Sequence, residues 1–579
     1  LLDDLDCLAG LSLIEKPIPE KRSWLYTYQF PPQEYRLRVD DPVVDVETLD
    51  NAGTVFKVVN YERPDQTALS NPLIGASDID TYGGRVILKI GKKQHDEEGL
   101  PPTLSIGPKN PIKYGELRNA IYRFADSIIN QTSEYQAIED LLCRSIPRIH
   151  NKKLGASIIT TNDLEKETEE SIVNLQESCL SIQGPPGTGK TTISAKVIIE
   201  LLRQGKKVGI ASNSHKAIHV LLEKVEETAM KQDFDFVGVK KASLDLPDTY
   251  YHGTSKKTKF IFNLDSATDI DRVINNEFDG YDYNGNVIPL DYGNVLSFET
   301  TGLLQRARVW GSSQTRSSEE IEEENEDSPK GVEKTSLEEP LLQFATLFAG
   351  TAWLFSRKRF NQQLDYLFID EAGQVSLANV IAMGTSAKNI VLVGDQMQLA
   401  QPTKGTHPGE SGKSALEFLM MDHPTIPPDR GIFLNITRRL HPEICSYISK
   451  AFYQGRLQPH PDNAKRQLRV KGSPLPSSGI LFIPSEHAGC TQKSTEEGSI
   501  IKKYYLELLS QQFKDTGEIT RQILTNNILV VTPYNLQLNH LTKILPEEAK
   551  VGTVDKFQGQ EEHIIMISMA TSTKEDSPR

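Results

Sequence analysis

The chain has 579 residues, too many for one hydrophobic core and enough for roughly three to five domains. Its 64 basic and 78 acidic residues leave a net charge of -14, which argues against a surface coated in positive charge but leaves room for a local basic channel. No apolar run reaches the roughly 18 residues that cross a bilayer, and the five cysteines (Cys7, Cys143, Cys179, Cys445, Cys490) form no CxxC pair, which gives a zinc or iron–sulfur site no support and suits a reducing cytosol. The chain opens Leu-Leu-Asp-Asp-Leu-Asp, with no visible secretory leader. A cytoplasmic location is expected, and Leu1 in place of an initiator methionine suggests a fragment or a processed chain.

Residues 1–105 read as β-rich. Tyr35–Val39, Val43–Glu47, Thr54–Val59 and Arg85–Ile90 have strand composition, separated by Asp, Pro and Gly turns, and predict a small barrel or sandwich. From about residue 114 the pattern changes to helical spacing, with Leu117, Ile121, Phe124, Ile128 and Ile129 among the apolar positions of a run from Leu117 to Arg144. Residues 106–175 are therefore expected to be a helical stalk or linker.

The run GPPGTGKTT, Gly184 to Thr192, fits the phosphate-binding pattern G-x-x-x-x-G-K-[ST], with a strand-like Leu180–Ile182 before it and a helix-like Ile193–Leu202 after it. In the loop Gly184, Pro185, Pro186, Gly187, Thr188 and Gly189, the glycines let the backbone turn tightly so that its N–H groups face an anion. Lys190 is placed to reach the outer phosphates, Thr191 to hold magnesium through its hydroxyl, and Thr192 to continue the cradle. ATP and Mg2+ are the expected ligands; the bland alternative is a Gly/Pro-rich surface turn.

Val208–His215, Tyr366–Gly373 and Asn389–Asp395 read as further buried strands with their loops, the pattern of a parallel sheet. About 150 residues separate the second strand from the one ending at Asp370, too many for one crossover, so a subdomain is expected at about 225–345. Its Ser317–Gly331 stretch is acidic and poor in apolar residues, and reads as a loop or linker. A second α/β unit is expected from 431 to 579, with strands at Gly479–Pro484, Asn527–Pro533 and His563–Met569.

Asp370 and Glu371 end a hydrophobic strand. Asp370 can hold magnesium, and Glu371 can orient and deprotonate a water attacking the γ-phosphorus; the bland reading is an exposed acidic pair. In Gly394–Pro402, Gln398 can sense the γ-phosphate, with Gln396 and Asp395 as weaker candidates. Arg438 and Arg439 can neutralise charge at that phosphate from a second domain, or be a solvent-facing basic pair. His215, Lys216 and Lys556 can meet a polymer backbone or belong to charged surface turns, and Thr532 and Thr553 at strand ends can donate to phosphate oxygens.

Taken in order, GPPGTGKTT, ASNSHKAI (from 211), DEAGQ (370), GDQMQLAQP (394), LNITRRLHPEI (434), FYQGRL (452), VTPYNLQ (531) and VGTVDKFQGQE (551) resemble the superfamily 1 helicases of the Upf-like group, over roughly Leu180 to Thr571. GTAWLF (350) and FPPQ (30) resemble the bacterial branch that often carries a RecB-type nuclease ahead of the helicase. The resemblance implies an α/β fold of two RecA-like parallel-sheet P-loop domains, 176–430 and 431–579, with the β-rich accessory barrel at 1–105 gripping the strand.

Family roles then fall on Lys190 and Thr191 for phosphate and magnesium, and on Asp370 and Glu371 as metal ligand and base. Gln374 and Gln398 would lie at the nucleotide, Arg439 on the γ-phosphate, and Glu561 near the sugar or phosphates. His215, Lys216, Pro533, Tyr534 and Thr553 would line the nucleic-acid track. Single-stranded DNA is the implied partner, in repair or processing and with 5′-to-3′ movement; RNA, a clamp or remodeller without unwinding, and a binding module with a vestigial ATP site remain as alternatives.

Two departures stand out. Arg438 occupies the place of the usual adenine-stacking tyrosine. The last family motif, with a second arginine finger, is expected a few tens of residues after Glu561, and the sequence ends at Arg579 without it. That implies a truncated chain that turns ATP over poorly. No PD…(D/E)xK nuclease arrangement is found, so a nuclease would belong to a longer parent.

Overall fold

Period-two alternation organises the first unit. In β6 (Gly84–Gly91), Val86, Leu88 and Ile90 point into the core while their neighbours face outward. This strand joins β1 (Leu8–Leu13), β3 (Ser23–Phe30), β4 (Pro42–Asp45), β5 (Asn51–Asn60) and β7 (Thr103–Pro108) in the order β1-β7-β4-β5-β6-β3, and pairing of β1 with β3 closes the ring into a barrel. β2 (Ile18–Glu20) extends β3 outside it. Closure leaves these six strands no open edge, and Leu8, Tyr28, Val43, Val55 and Ile106 fill the interior.

The computed structural model describes residues 7–60, 83–108, 115–242, 249–253, 345–399 and 409–573, less a few scattered positions, together with short strands between 261 and 289. The acidic stretch 317–331, most of the strand expected at Tyr35–Val39 and the end of the Gly394–Pro402 run lie outside the described residues.

The helical run expected from Leu117 to Arg144 is two helices, Gly115–Ile129 and Gln136–Leu142. The break falls where Gln131 and Ser133 take left-handed backbone (φ 53° at each), which no helix continues through.

The second unit is an eight-stranded parallel sheet: β8 (Cys179–Gln183), β9 (Val208–Ala211), β10 (Gly238–Lys241), β11 (Ile261–Leu264), β14 (Leu347–Gly350), β15 (Leu364–Ile369), β16 (Ala387–Gly394) and β17 (Gly431–Phe433). A hairpin, β12 (Asp279–Tyr281) with β13 (Val287–Pro289), stands apart from it. The order is β11-β10-β14-β9-β15-β16-β8-β17. Alternate residues of one strand enter two different cores: Leu367 and Ile369 one, Tyr366 and Phe368 the other. Both faces are covered, as a parallel sheet requires.

Three expectations change here. The helix His215–Lys231 runs through position 225 and buries Leu221, Leu222, Val225 and Ala229, and β10, β11 and β14 all join the main sheet, so the stretch expected to be inserted at 225–345 begins only after β11. β17 pairs with β8, so the first sheet takes in 431–433, beyond the boundary expected at 430. Gly479–Pro484 forms no strand: it finds no ladder partner, and Phe482 is 84% exposed.

After β17 come the short pair β18 (Ile436–Thr437) with β19 (Gln458–Pro459), and the three-stranded antiparallel sheet β20 (Gln467–Arg469), β21 (Gln512–Lys514) and β22 (Thr520–Gln522). A smaller parallel sheet follows, β23 (Ile528–Thr532) between β24 (Lys550–Thr553) and β25 (Ile564–Ile567). The helices Thr495–Leu509 and Asn535–Ile544 supply Ile501, Tyr505, Leu508 and Leu541 to its core. Among the described residues, no helix is long and apolar enough to cross a membrane.

Candidate nucleotide site

β8 delivers the chain into the Gly184–Gly189 loop, and the helix Lys190–Arg203 leaves it. Gly189 caps that helix in left-handed backbone (φ 86°) and no side chain accepts from the first-turn N–H groups, which leaves them directed at the loop's concavity. The Lys190 ammonium donates to the Gly184 carbonyl (2.6 Å), and the Thr188 hydroxyl to the Pro185 carbonyl (2.7 Å). Thr191 and Thr192 follow on the same helix, half-buried. Uncapped N–H groups, an ammonium and a glycine-lined turn fit a triphosphate.

Two neighbouring strand tips face this loop. The Gly184 N–H donates to the Gly394 carbonyl at the end of β16 (2.8 Å). Asp370 and Glu371 end β15. Asp370 is buried, and burial first, then the Glu371 carboxylate, push its carboxyl above the usual range while Lys190 pulls it down. Glu371 sits at φ 53°, an uncommon conformation for a residue with a side chain, and its N–H donates to Asp370 Oδ1 (3.0 Å). Gln374 closes the turn, its N–H on the Glu371 carbonyl (2.8 Å) and its Nε2 buried without a partner. Among the described residues no group of three or more His, Cys, Asp or Glu could hold a metal ion. Thr191 and Asp370 offer only two hard-oxygen side chains, which fits magnesium completed by phosphate and water.

The arginine pair arrives by way of β17, which runs beside β8. The Arg438 N–H donates to the Gly187 carbonyl (2.8 Å), and the Thr437 hydroxyl to the Pro186 carbonyl (2.8 Å). A methyl group at Gly187 would collide with Arg439 Cβ. Arg438 is exposed, while the Arg439 side chain is half-buried and forms an ion pair with Glu561, from the smaller sheet's side of the chain. Lys190, Asp370, Glu371, Gln374, Arg438, Arg439 and Glu561 are thus gathered around one loop.

Other candidates lie elsewhere. Gln396 is turned into the fold, donating to the Pro424 carbonyl (3.0 Å) and accepting from Gln183 (3.0 Å). Gln398 is half-buried at the end of the same turn. His215 makes its contact with buried Lys240 (3.0 Å); burial and then that ammonium lower its pKa to about 4. Thr532 is fully buried, so its hydroxyl is not presented to a polymer. The Lys556 ammonium folds back onto the Val551 carbonyl (3.1 Å), whereas Lys216 is exposed and Pro533, Tyr534 and Thr553 are partly so.

Three residues given no role in the sequence reading bear on the site. The Asn213 amide donates to the Gln374 carbonyl, Arg466 donates to the carbonyls of Arg438 (3.0 Å) and Arg439 (2.7 Å), and Tyr453 donates to Asp395 (2.6 Å). Asn213 and Tyr453 lie inside family-like segments, but nothing in the spacing says what they touch.

A phosphate loop at the tip of a parallel-sheet strand, an acidic strand tip nearby and arginines brought against it define a P-loop nucleotide-binding protein. Two family descriptions, both "AAA domain", match the chain, over residues 160–404 and 412–577. The chain is 24% identical to the DNA polymerase alpha-associated DNA helicase A of Schizosaccharomyces pombe, with 89% of this chain and 74% of that protein covered. It is 24% identical to the DNA-binding protein SMUBP-2 of Mus musculus (72% and 40% covered) and 23% identical to the regulator of nonsense transcripts 1 homolog of Drosophila melanogaster (69% and 31% covered). The chain therefore spans most of the first relative and less than half of the other two. It belongs to the superfamily 1 helicases of the Upf-like group, which are ATP-dependent enzymes.

Proposed function

We propose that this chain is the motor of an ATP-driven translocase on single-stranded nucleic acid, built as two RecA-like lobes, one on each parallel sheet. The observation that carries the reading is the position of Arg439, which follows the first sheet in the chain yet is seated on Gly187 of the phosphate loop and paired with Glu561. A group shared in this way lets nucleotide occupancy control how the lobes close.

In this reading the Lys190 ammonium and the loop N–H groups hold the β- and γ-phosphates, and Thr191 and Asp370 hold the magnesium, which neutralises phosphate charge when bound. Glu371 takes the proton of the attacking water. Gln398 senses the γ-phosphate, Gln374 orients beside it, and Arg439 stabilises the charge that develops there. Arg438 offers a guanidinium plane to the base. Lys216, Tyr534 and Thr553 contact the polymer backbone, so binding is salt-sensitive and largely blind to sequence. DNA is the favoured polymer and 5′-to-3′ the direction, both by family likeness, with a nuclease domain ahead of this region in the parent protein.

The test is ATP turnover by the natural full-length protein with and without single-stranded DNA or RNA, beside a strand-separation assay. Strong stimulation by polymer, lost in Lys190→Ala and Glu371→Gln, is expected. An unstimulated enzyme overturns the translocase reading; stimulation without strand separation reassigns the protein as a clamp or remodeller.

A further inference from the structure

The carboxylate of Asp395, at the tip of β16, is 2% exposed, and burying such a charge is costly unless donors surround it. Its donors come from two places. The Met397 N–H reaches Oδ1 (3.2 Å) and the Gln398 amide reaches Oδ2 (3.5 Å), both within the turn that carries Gln398. The third is the Tyr453 hydroxyl, on Oδ2 at 2.6 Å, from the end of the helix Pro442–Phe452 that follows the arginine pair. Burial, then the Asp395 charge, push the Tyr453 pKa far up, so the hydroxyl keeps its proton and stays a donor.

Packing alone would need only the ring, which sits against Phe433 with Met420, Ile426, Cys445 and Leu457 around it. The hydroxyl adds a charge-assisted bond to the one carboxylate that organises the turn. On the other side of the turn, Gln396 is already tied to Gln183 and Pro424. Tyr453 is therefore the tie between the Gln398 turn and the helix behind Arg438 and Arg439.

We propose that Tyr453 is a positioning residue for ATP hydrolysis: through Asp395 it holds the turn that presents Gln398. The proposal rests on the reading of Gln398 as γ-phosphate sensor. Tyr453→Phe keeps the ring and removes the bond. Expected are faster amide hydrogen exchange at 396–398 in the nucleotide-free protein and a kcat for polymer-stimulated ATP turnover roughly tenfold lower at little-changed KM. In a Gln398→Ala background the same substitution should cost almost nothing. Asp395→Asn, which keeps the size and weakens the acceptor, should reproduce both effects and serves if Tyr453→Phe folds poorly. Wild-type exchange and kcat in both variants overturn the proposal, as does a loss undiminished beside Gln398→Ala. Wild-type turnover in Gln398→Ala alone overturns the sensor reading and the proposal with it, whereas a defective Gln398→Ala beside a normal Tyr453→Phe overturns the tie alone.

Discussion

Arg439 and Glu561 neutralise each other beside the phosphate loop, and in the proposed mechanism both belong to the nucleotide. In that mechanism the Glu561 carboxylate and the γ-phosphate compete for the same guanidinium. Both side chains are partly solvated, at 33% and 64% exposure, so the pair is weak and easily displaced. Glu561→Gln should tighten binding of a non-hydrolysable ATP analogue by up to about fivefold, with the gain shrinking in high salt. A titration showing weaker or unchanged binding would mean that Glu561 does not compete for Arg439.

Gly187 is under two constraints. Its φ of 74° disfavours any side chain, and a Cβ there meets Arg439. Gly187→Ala should weaken nucleotide affinity by at least roughly tenfold while the barrel and the smaller sheet unfold normally. Calorimetric titration checks it; affinity equal to wild type would show that the loop and arginine are not closely apposed in solution.

Asn213 joins the loop after β9 to the nucleotide turn through the Gln374 carbonyl. Asn213→Ala should lower the polymer-stimulated ATPase rate severalfold, about what one hydrogen bond contributes, and the basal rate less. Equal losses in both rates would assign Asn213 to the fold of the turn.

Glu167 accepts from the N–H and hydroxyl groups of both Thr160 and Thr161. Burial raises its pKa, but those four bonds together outweigh it and hold the carboxyl at about 2, against an ordinary 4.5. A depressed carboxylate stabilises the fold fully above its unfolded pKa, and the stabilisation is lost as pH falls through the folded value. Glu167→Gln should lose roughly 1–2 kcal/mol at pH 7, less than the full shift implies because solvent screens the charge and the amide oxygen still accepts some of the bonds, and its deficit should close between about pH 4.5 and 2. Urea denaturation at several pH values measures this; a deficit independent of pH would refute it.

Lys240 has the opposite sign. Burial lowers its ammonium pKa from 10.5 to about 7, so between those values the unfolded chain binds more protons and stability rises with pH. Lys240→Met should be more stable than wild type at pH 6 and lose part of that advantage by pH 10. Thermal unfolding at the two pH values checks it, and a less stable variant at pH 6 would show that the His215 contact outweighs the cost of burial.

The phosphate loop was readable because its chemistry is local: a tight backbone turn needs glycine, and the strand before it and helix after it announce themselves by composition. Asp370 and Glu371 were readable for the same reason, as acids at the end of an apolar run. The barrel followed from short alternating strands. What escaped was set by partners far along the chain. β17 is three residues of ordinary composition whose place beside β8 only the fold decides. Asp395 and Tyr453 are 58 residues apart, and Asn213 and Gln374 are 161 apart. Gly479–Pro484 has the composition of a strand and lacks the neighbour that would make it one. Thr532 occupies the expected strand end but faces inward.

The course of β17 has a practical consequence for genetics. Gly431 lies against the Ser181 carbonyl and the Ile426 side chain, with no room for a methyl group, and the chain reaches the arginine pair only a few residues later. A substitution there will push the arginines off their seat from a point that touches no ligand. Screens for inactive alleles should therefore recover Gly431 among the apparent catalytic lesions, though its injury is one of carpentry.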